Sequence, residues 1–80
     1  MTIKLLFFGI TQDLVGTHVL EMNFETAVSV AELKKKLFQQ FNSLHKFPNF
    51  AIAVNEYYAD EETLIEDKDI VAIIPPVSGG

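Results

Sequence analysis

Eighty residues bound this chain to one domain with a modest core and little room for an enclosed catalytic pocket. Its 49% hydrophobic content favours folding over disorder, and no apolar run approaches the roughly 18 residues of a membrane span. Six lysines against eleven acids, with no arginine, give a net charge of −5 that argues against a nucleic-acid partner, and the absence of cysteine excludes disulfides, thiol nucleophiles and zinc–thiolate sites.

Thr2 to Gly9 reads as a strand, with Ile3, Leu5 and Phe7 on one side and Lys4, Leu6 and Phe8 on the other. No signal-peptide pattern precedes it, so a cytoplasmic protein is expected. Thr11 to Gly16 looks like a loop closed by a glycine. Thr17 to Phe24 alternates again, placing His18, Leu20, Met22 and Phe24 opposite Val19, Glu21 and Asn23, and suits a hairpin partner for the first strand.

Ser29 to Phe41 is the clearest helix. Ser29 is a natural N-cap, Glu32 completes a capping box three residues on, and Val28 and Leu33 occupy the two hydrophobic-staple positions. Val30, Leu33, Leu37, Phe41 and Leu44 follow helical spacing and should face the core. Asn42-Ser43 favours termination. Phe50 to Val54 is a short apolar strand, Asn55-Glu56 a turn, and Tyr57-Tyr58 a brief strand. Asp60 to Asp67 is acidic, with one helical turn expected around Glu62 to Ile65, and Asp69 to Ile74 is a final β-branched strand. A hairpin, one helix and three further strands are most economically arranged as a mixed sheet with the helix across one face. This predicts an α+β, ubiquitin-like β-grasp domain over residues 1–74 and an extended Gly-Gly tail over 75–80.

Side-chain catalysis finds little support. His18 and His45 lie in no motif with a serine and read as surface residues. Glu61-Glu62 and Glu66-Asp67 lack calcium-loop spacing and read as a solvated acidic face, so no metal is expected. That face lies just before the tail and would also suit steering of a basic partner. Lys34 to Lys36 read as helix surface, and Phe7, Phe24, Phe38, Phe41, Phe47 and Phe50 as mostly core.

Phe8 stands apart. If Phe7 faces the helix, Phe8 faces outward. If Val71 and Ile73 face the helix too, Ile74 joins Phe8 and Leu6 outside, with Tyr58 at their border. Such a group is either a partner surface or covered by a loop. The end of the chain carries the strongest signal. Pro75 and Pro76 stiffen its departure, Val77 and Ser78 follow, and Gly79 and Gly80 have no side chains to obstruct a narrow channel. Six residues at about 3.3 Å each reach on the order of 20 Å, enough to enter another protein's site with a bare carboxylate at the tip.

Several segments together resemble a known family. Ile3-Lys4-Leu5-Leu6-Phe7-Phe8-Gly9, Leu14-Val15-Gly16, Ala53-Val54-Asn55 and the ending Val71-Ala72-Ile73-Ile74-Pro75-Pro76-Val77-Ser78-Gly79-Gly80 are similar to the small subunits of molybdopterin synthases, over nearly the whole chain. The resemblance implies a sulfur carrier that works as a co-substrate, with the catalytic site on a large subunit and the pair assembled as a heterotetramer. A ubiquitin-activating-like adenylyltransferase would use ATP to adenylate the Gly80 carboxylate. A sulfur donor would convert it to a thiocarboxylate, and the tail would deliver the sulfur to cyclic pyranopterin monophosphate in molybdenum cofactor biosynthesis. Phe8, Tyr58, Ile74, Pro75, Pro76, Val77 and Ser78 would meet the partner and Gly79 would thread the tail, the chain itself binding no cofactor. The absence of cysteine fits, because it leaves no persulfide and makes the terminal carboxylate the carrier. Two departures stand out. Asp67-Lys68-Asp69 replaces the family's Asp-Gly-Asp turn, and Ile10 follows Gly9 without the charged residue often found there. Two neighbouring readings share the Gly-Gly end: a sulfur carrier for thiazole or tRNA thiolation, and a ubiquitin-like protein modifier. A third is a plain interaction domain with an inert tail.

Overall fold

The computed structural model describes residues 1–46 and 48–76. The expected core position of Phe47, and the expected roles of Val77, Ser78, Gly79 and Gly80, lie outside the described residues. Alternation in the first segment produces β1 (Thr2–Phe7), in which Ile3, Leu5 and Phe7 are buried. β2 (Val19–Asn23) pairs antiparallel with it, Leu5 opposite Leu20 and Leu6 opposite Val19. The last strand, β7 (Ile70–Ile74), lies on the other side of β1 and runs parallel to it, while β4 (Ala51–Val54) pairs antiparallel with β7. β5 (Tyr57–Tyr58) closes the sheet, whose order is β2-β1-β7-β4-β5.

The long helix, α2 (Val30–Gln40), crosses one face of this sheet. Its capping box is formed: the Glu32 N–H donates to Ser29 Oγ at 3.1 Å, and the Ser29 N–H donates to Glu32 Oε1 at 3.2 Å. Two more of the N–H groups that a helix start leaves unpaired donate to a neighbouring loop, Val30 to the Thr63 carbonyl at 2.9 Å and Ala31 to the Glu61 carbonyl at 3.1 Å. Val28 and Leu33, the staple pair, are both buried. Val30, Leu33 and Leu37 close over Ile3, Leu5, Phe7, Ile52, Val71 and Ile73, and Leu44 joins them from a 3-10 turn at Asn42–Lys46. Among the described residues no helix is long and apolar enough to cross a membrane. The mixed sheet with one main helix across it is the β-grasp arrangement.

Two local expectations are corrected. The segment read as a loop forms a short helix, α1 (Ile10–Val15), and strand β1 stops two residues before Gly9. Gly9, at φ 55° and ψ −134°, turns the chain out of the strand. The Thr11 N–H and Oγ1 both donate to the Phe8 carbonyl, and Gly16, in left-handed conformation, donates its N–H to the Gln12 carbonyl at 2.8 Å. The helical turn expected at Glu62 to Ile65 is instead β6 (Leu64–Ile65), which pairs antiparallel with β3 (Val28–Ser29). Asp60 Oδ1 accepts from the N–H groups of Glu62 and Thr63 and from Thr63 Oγ1, a side-chain turn that competes with helix formation, and full burial of Ile65 anchors the extended segment that follows. The Asp67-Lys68-Asp69 turn keeps a glycine-like shape without a glycine: Lys68 has φ 68°, and its N–H donates to the Thr2 carbonyl at 2.7 Å.

Candidate docking face and tail exit

Directly opposed residues share a face of a sheet, so register decides which side chains meet. Val19 opposes Leu6, Leu6 opposes Ala72, Ala72 opposes Ala53, and Ala53 opposes Tyr58. These five residues form a continuous apolar row across all five strands, on the face turned away from α2. Along β7 the same face carries Ile70 and Ile74, and just past the end of β1 it continues to Phe8. Ile74 opposes Ala51 on β4. Phe8 is 48% exposed, Ile70 44% and Val19 38%, whereas their neighbours Phe7, Val71 and Ile73 on the helix side are fully buried.

The structure therefore brings Phe8, Ile74 and Tyr58 onto one surface, and no described segment covers Phe8 or Tyr58, the latter 75% exposed. Ile74 and Pro75 are half-buried, and Pro76 is exposed. Tyr57 is exposed as well but points to the helix side, since it opposes Val54, which in turn opposes the buried Val71. Val19 and Ile70 complete the face and were not singled out from the sequence. The signal for Ile70 was present, because the alternation that buries Val71 and Ile73 turns Ile70 outward with Ala72. Val19 becomes visible as part of the patch only once its pairing with Leu6 is known.

The strand that leads to the tail is tied at both ends. At its start the Ile70 N–H donates to Asn55 Oδ1 at 2.9 Å, Asn55 Nδ2 donates to Asp69 Oδ1 at 2.9 Å, and the Asn55 N–H donates to the Ile70 carbonyl at 2.8 Å. At its end the Ile73 carbonyl accepts from the Phe8 N–H at 3.2 Å, with the buried Thr11 hydroxyl 3.4 Å away. Just beyond, the ring of Pro75 rests against Gly9. The chain thus leaves the sheet from a fixed point beside the exposed Phe8, so the apolar face and the start of the tail form one surface.

Side-chain chemistry is sparse. His18 and His45 are exposed, and the His45 ring stacks on Phe38 at 4.8 Å between centroids. Among the described residues no three histidine, aspartate or glutamate side chains converge as metal ligands. Among the described residues, an ion pair from Lys34 to Glu61 at 3.8 Å ties α2 to the acidic loop on the helix side.

Comparison with known proteins shows the family and the fold. The model of the ThiS family matches residues 5–80. The molybdopterin synthase sulfur carrier subunit of Caenorhabditis elegans is 33% identical over 84 residues, covering 100% of this chain and 99% of the relative. Among solved structures, SAMP1 from Haloferax volcanii superposes with a TM-score of 0.85 at 17% identity, each chain covered in full, which shows the shared fold. A chain from the protein–protein complex of subunits 1 and 2 of the molybdopterin-converting factor of Helicobacter pylori superposes with a TM-score of 0.72 at 26% identity, again with full coverage of both chains.

Proposed function

Because the chain belongs to the ThiS family, we propose that it is the sulfur carrier subunit of a molybdopterin synthase. The observation that carries the reading is the continuity of the exposed apolar face with the strand that leads to the tail. A carrier must dock on a large partner and place a chain end inside it, and here Phe8, Ile74 and Tyr58 share a face with the point from which Pro75 departs. The complex of two converting-factor subunits in Helicobacter pylori supports a two-subunit assembly.

In this reading the large subunit holds the catalytic site, and two copies of each subunit make a heterotetramer in the cytoplasm. A ubiquitin-activating-like adenylyltransferase acts first. A Gly80 carboxylate oxygen bonds to the α-phosphorus of ATP and pyrophosphate leaves, which turns a poor electrophile into an acyl adenylate. A sulfide equivalent from a donor then attacks the carbonyl carbon and AMP departs, giving the thiocarboxylate. Gly79 and Gly80, free of side chains, pass through the narrow approach to the large-subunit site, and sulfur is delivered to cyclic pyranopterin monophosphate. Pro75, Pro76, Val77 and Ser78 span the distance between the docked domain and that site. The carrier itself holds no cofactor.

Co-expression with the activating enzyme, followed by intact-mass measurement, tests the central step. The sulfur-for-oxygen mass increase should appear at the C-terminus, and the treated chain should convert the pterin precursor when mixed with the large subunit. An unchanged mass in the presence of active enzyme, ATP and donor would sink the proposal.

A further inference from the structure

The β4–β5 turn holds two consecutive residues other than glycine in left-handed conformation, Asn55 at φ 49° and Glu56 at φ 76°. A two-residue hairpin of this mirror-image type matches the twist of its strands, and Asn followed by Gly is its favoured pair. Asn55 is explained locally by its hydrogen bonds to Ile70 and Asp69. The turn geometry sets the backbone of Glu56, while among the described residues its side chain makes no hydrogen bond that holds it there. It is exposed, and among the described residues, which include all six lysines, no cation pairs with its carboxylate. A side chain with a β-carbon is strained in this conformation where glycine is not, so the turn carries a carboxylate at a position where glycine would be the easier choice. The surroundings indicate what that carboxylate serves. Glu56 stands with Leu6, Phe8, Ile70 and Ala72 around a shallow concavity on the open face of the sheet.

We propose that Glu56 is a specificity-determining contact of the docking face, receiving a lysine or arginine side chain of the large subunit at the edge of this apolar concavity. The inference rests on the reading of the open face as the docking surface. Apolar contact supplies most of the affinity of such a face, whereas a charge at its rim selects the partner and speeds encounter. Asn55 contributes by fixing the turn to β7, so that the carboxylate is presented at a constant position beside Ile70. A carboxylate without an ion-pair partner in its own chain is free to form one across the interface.

The test measures the melting temperature of the isolated chain and its affinity for the purified large subunit at low and high salt. Four variants are compared with the parent: Glu56→Gly, Glu56→Lys, Glu25→Gln and Phe8→Asp. Glu56→Gly should melt no lower than the parent, and up to about 4 °C higher, because the strain is gone. It should nonetheless bind about five-fold more weakly at low salt, with the gap closing as salt is raised. Glu56→Lys should bind more weakly still. Glu25→Gln makes the same change in net charge as Glu56→Gly, just beyond the C-terminal end of β2, and should bind like the parent. Parental affinity and salt dependence for Glu56→Gly would overturn the inference, as would an equal loss for Glu25→Gln or a lower melting temperature for Glu56→Gly. If Phe8→Asp also bound normally, the docking face would fall and the inference with it. A defect in Phe8→Asp without one in Glu56→Gly removes the role of Glu56 alone.

Discussion

Gly9 sits against Pro75 so closely that a β-carbon built on it would lie 3.0 Å from Pro75 Cγ. Gly9 also has φ 55° and ψ −134°, a region that residues with a β-carbon rarely enter. The end of β1 and the start of the tail therefore depend on one glycine. Gly9→Val should lower stability by about 1–3 kcal/mol, from backbone strain and from displacement of Pro75. Urea denaturation checks this, and an unchanged midpoint would show that the turn rearranges without cost.

The two faces of the sheet should respond in opposite ways to a charge. Phe7→Asp and Ile73→Asp place an unpaired carboxylate in the core and remove a packed side chain, costing about 3–5 kcal/mol each, enough to unfold a domain of this size. Phe8→Asp and Ile74→Asp on the open face should leave far-UV circular dichroism native and weaken binding to the large subunit by ten-fold or more, on the order of a docking hot spot. A folded Phe7→Asp chain would contradict the observed alternation. Full-strength binding by Phe8→Asp would contradict the docking surface.

Lys68 occupies a left-handed position at φ 68° in the turn before β7, where a glycine would be unstrained. Lys68→Gly should raise stability by about 0.5–1 kcal/mol, the relief of backbone strain being partly offset by the greater freedom of glycine in the unfolded chain. The midpoint in urea should rise with no change in slope. A fall would mean that the lysine side chain makes a contact worth more than the strain.

These positions also show why some of the molecule is legible in its sequence and some is not. Parity in β1 and β7 can be read because Ile3, Leu5 and Phe7, and likewise Val71 and Ile73, alternate over enough residues to mark a face, and Ser29 with Glu32 marks the start of α2 by side-chain chemistry alone. α1 spans only six residues, too few for a helical period to declare itself, and its boundaries are set by Gly9 and Gly16. β6 has two residues and exists because Ile65 finds a place in the core and Val28 offers an edge, facts of tertiary structure hidden behind a run of acids. For the candidate site, Phe8 and Ile74 follow from parity within their strands. The row from Val19 to Tyr58 depends on strand order, which no local pattern encodes. The Gly-Gly end was legible by residue type, while Val77 to Gly80 lie outside the described residues.

The last prediction concerns the penultimate residue. Gly79→Val should leave the domain folded, because the described core is built from residues up to Ile73. It should still fail in sulfur transfer. A β-branched side chain widens the chain and restricts its backbone angles at the position that, in the proposed function, passes into a partner's site one residue before the reacting carboxylate. In the proposed function the activating enzyme and the large subunit each admit this tail, so the defect can arise at either step, and the two separate in vitro. Adenylation is read by ATP-dependent pyrophosphate release with the purified activating enzyme. Delivery is read by supplying the variant already in its thiocarboxylate form to the large subunit and following conversion of the pterin precursor. Loss of at least one step by about 100-fold is expected, the order of magnitude by which a small misplacement of reacting groups slows an enzyme. Gly79→Ala should be milder, since one methyl adds less width and leaves more backbone freedom. Parental rates for Gly79→Val in both steps would show that neither site closes around the tail. The side-chain-free end would then have no steric reason to be glycine, and the assignment of Gly80 as the sulfur-bearing residue would lose its physical basis.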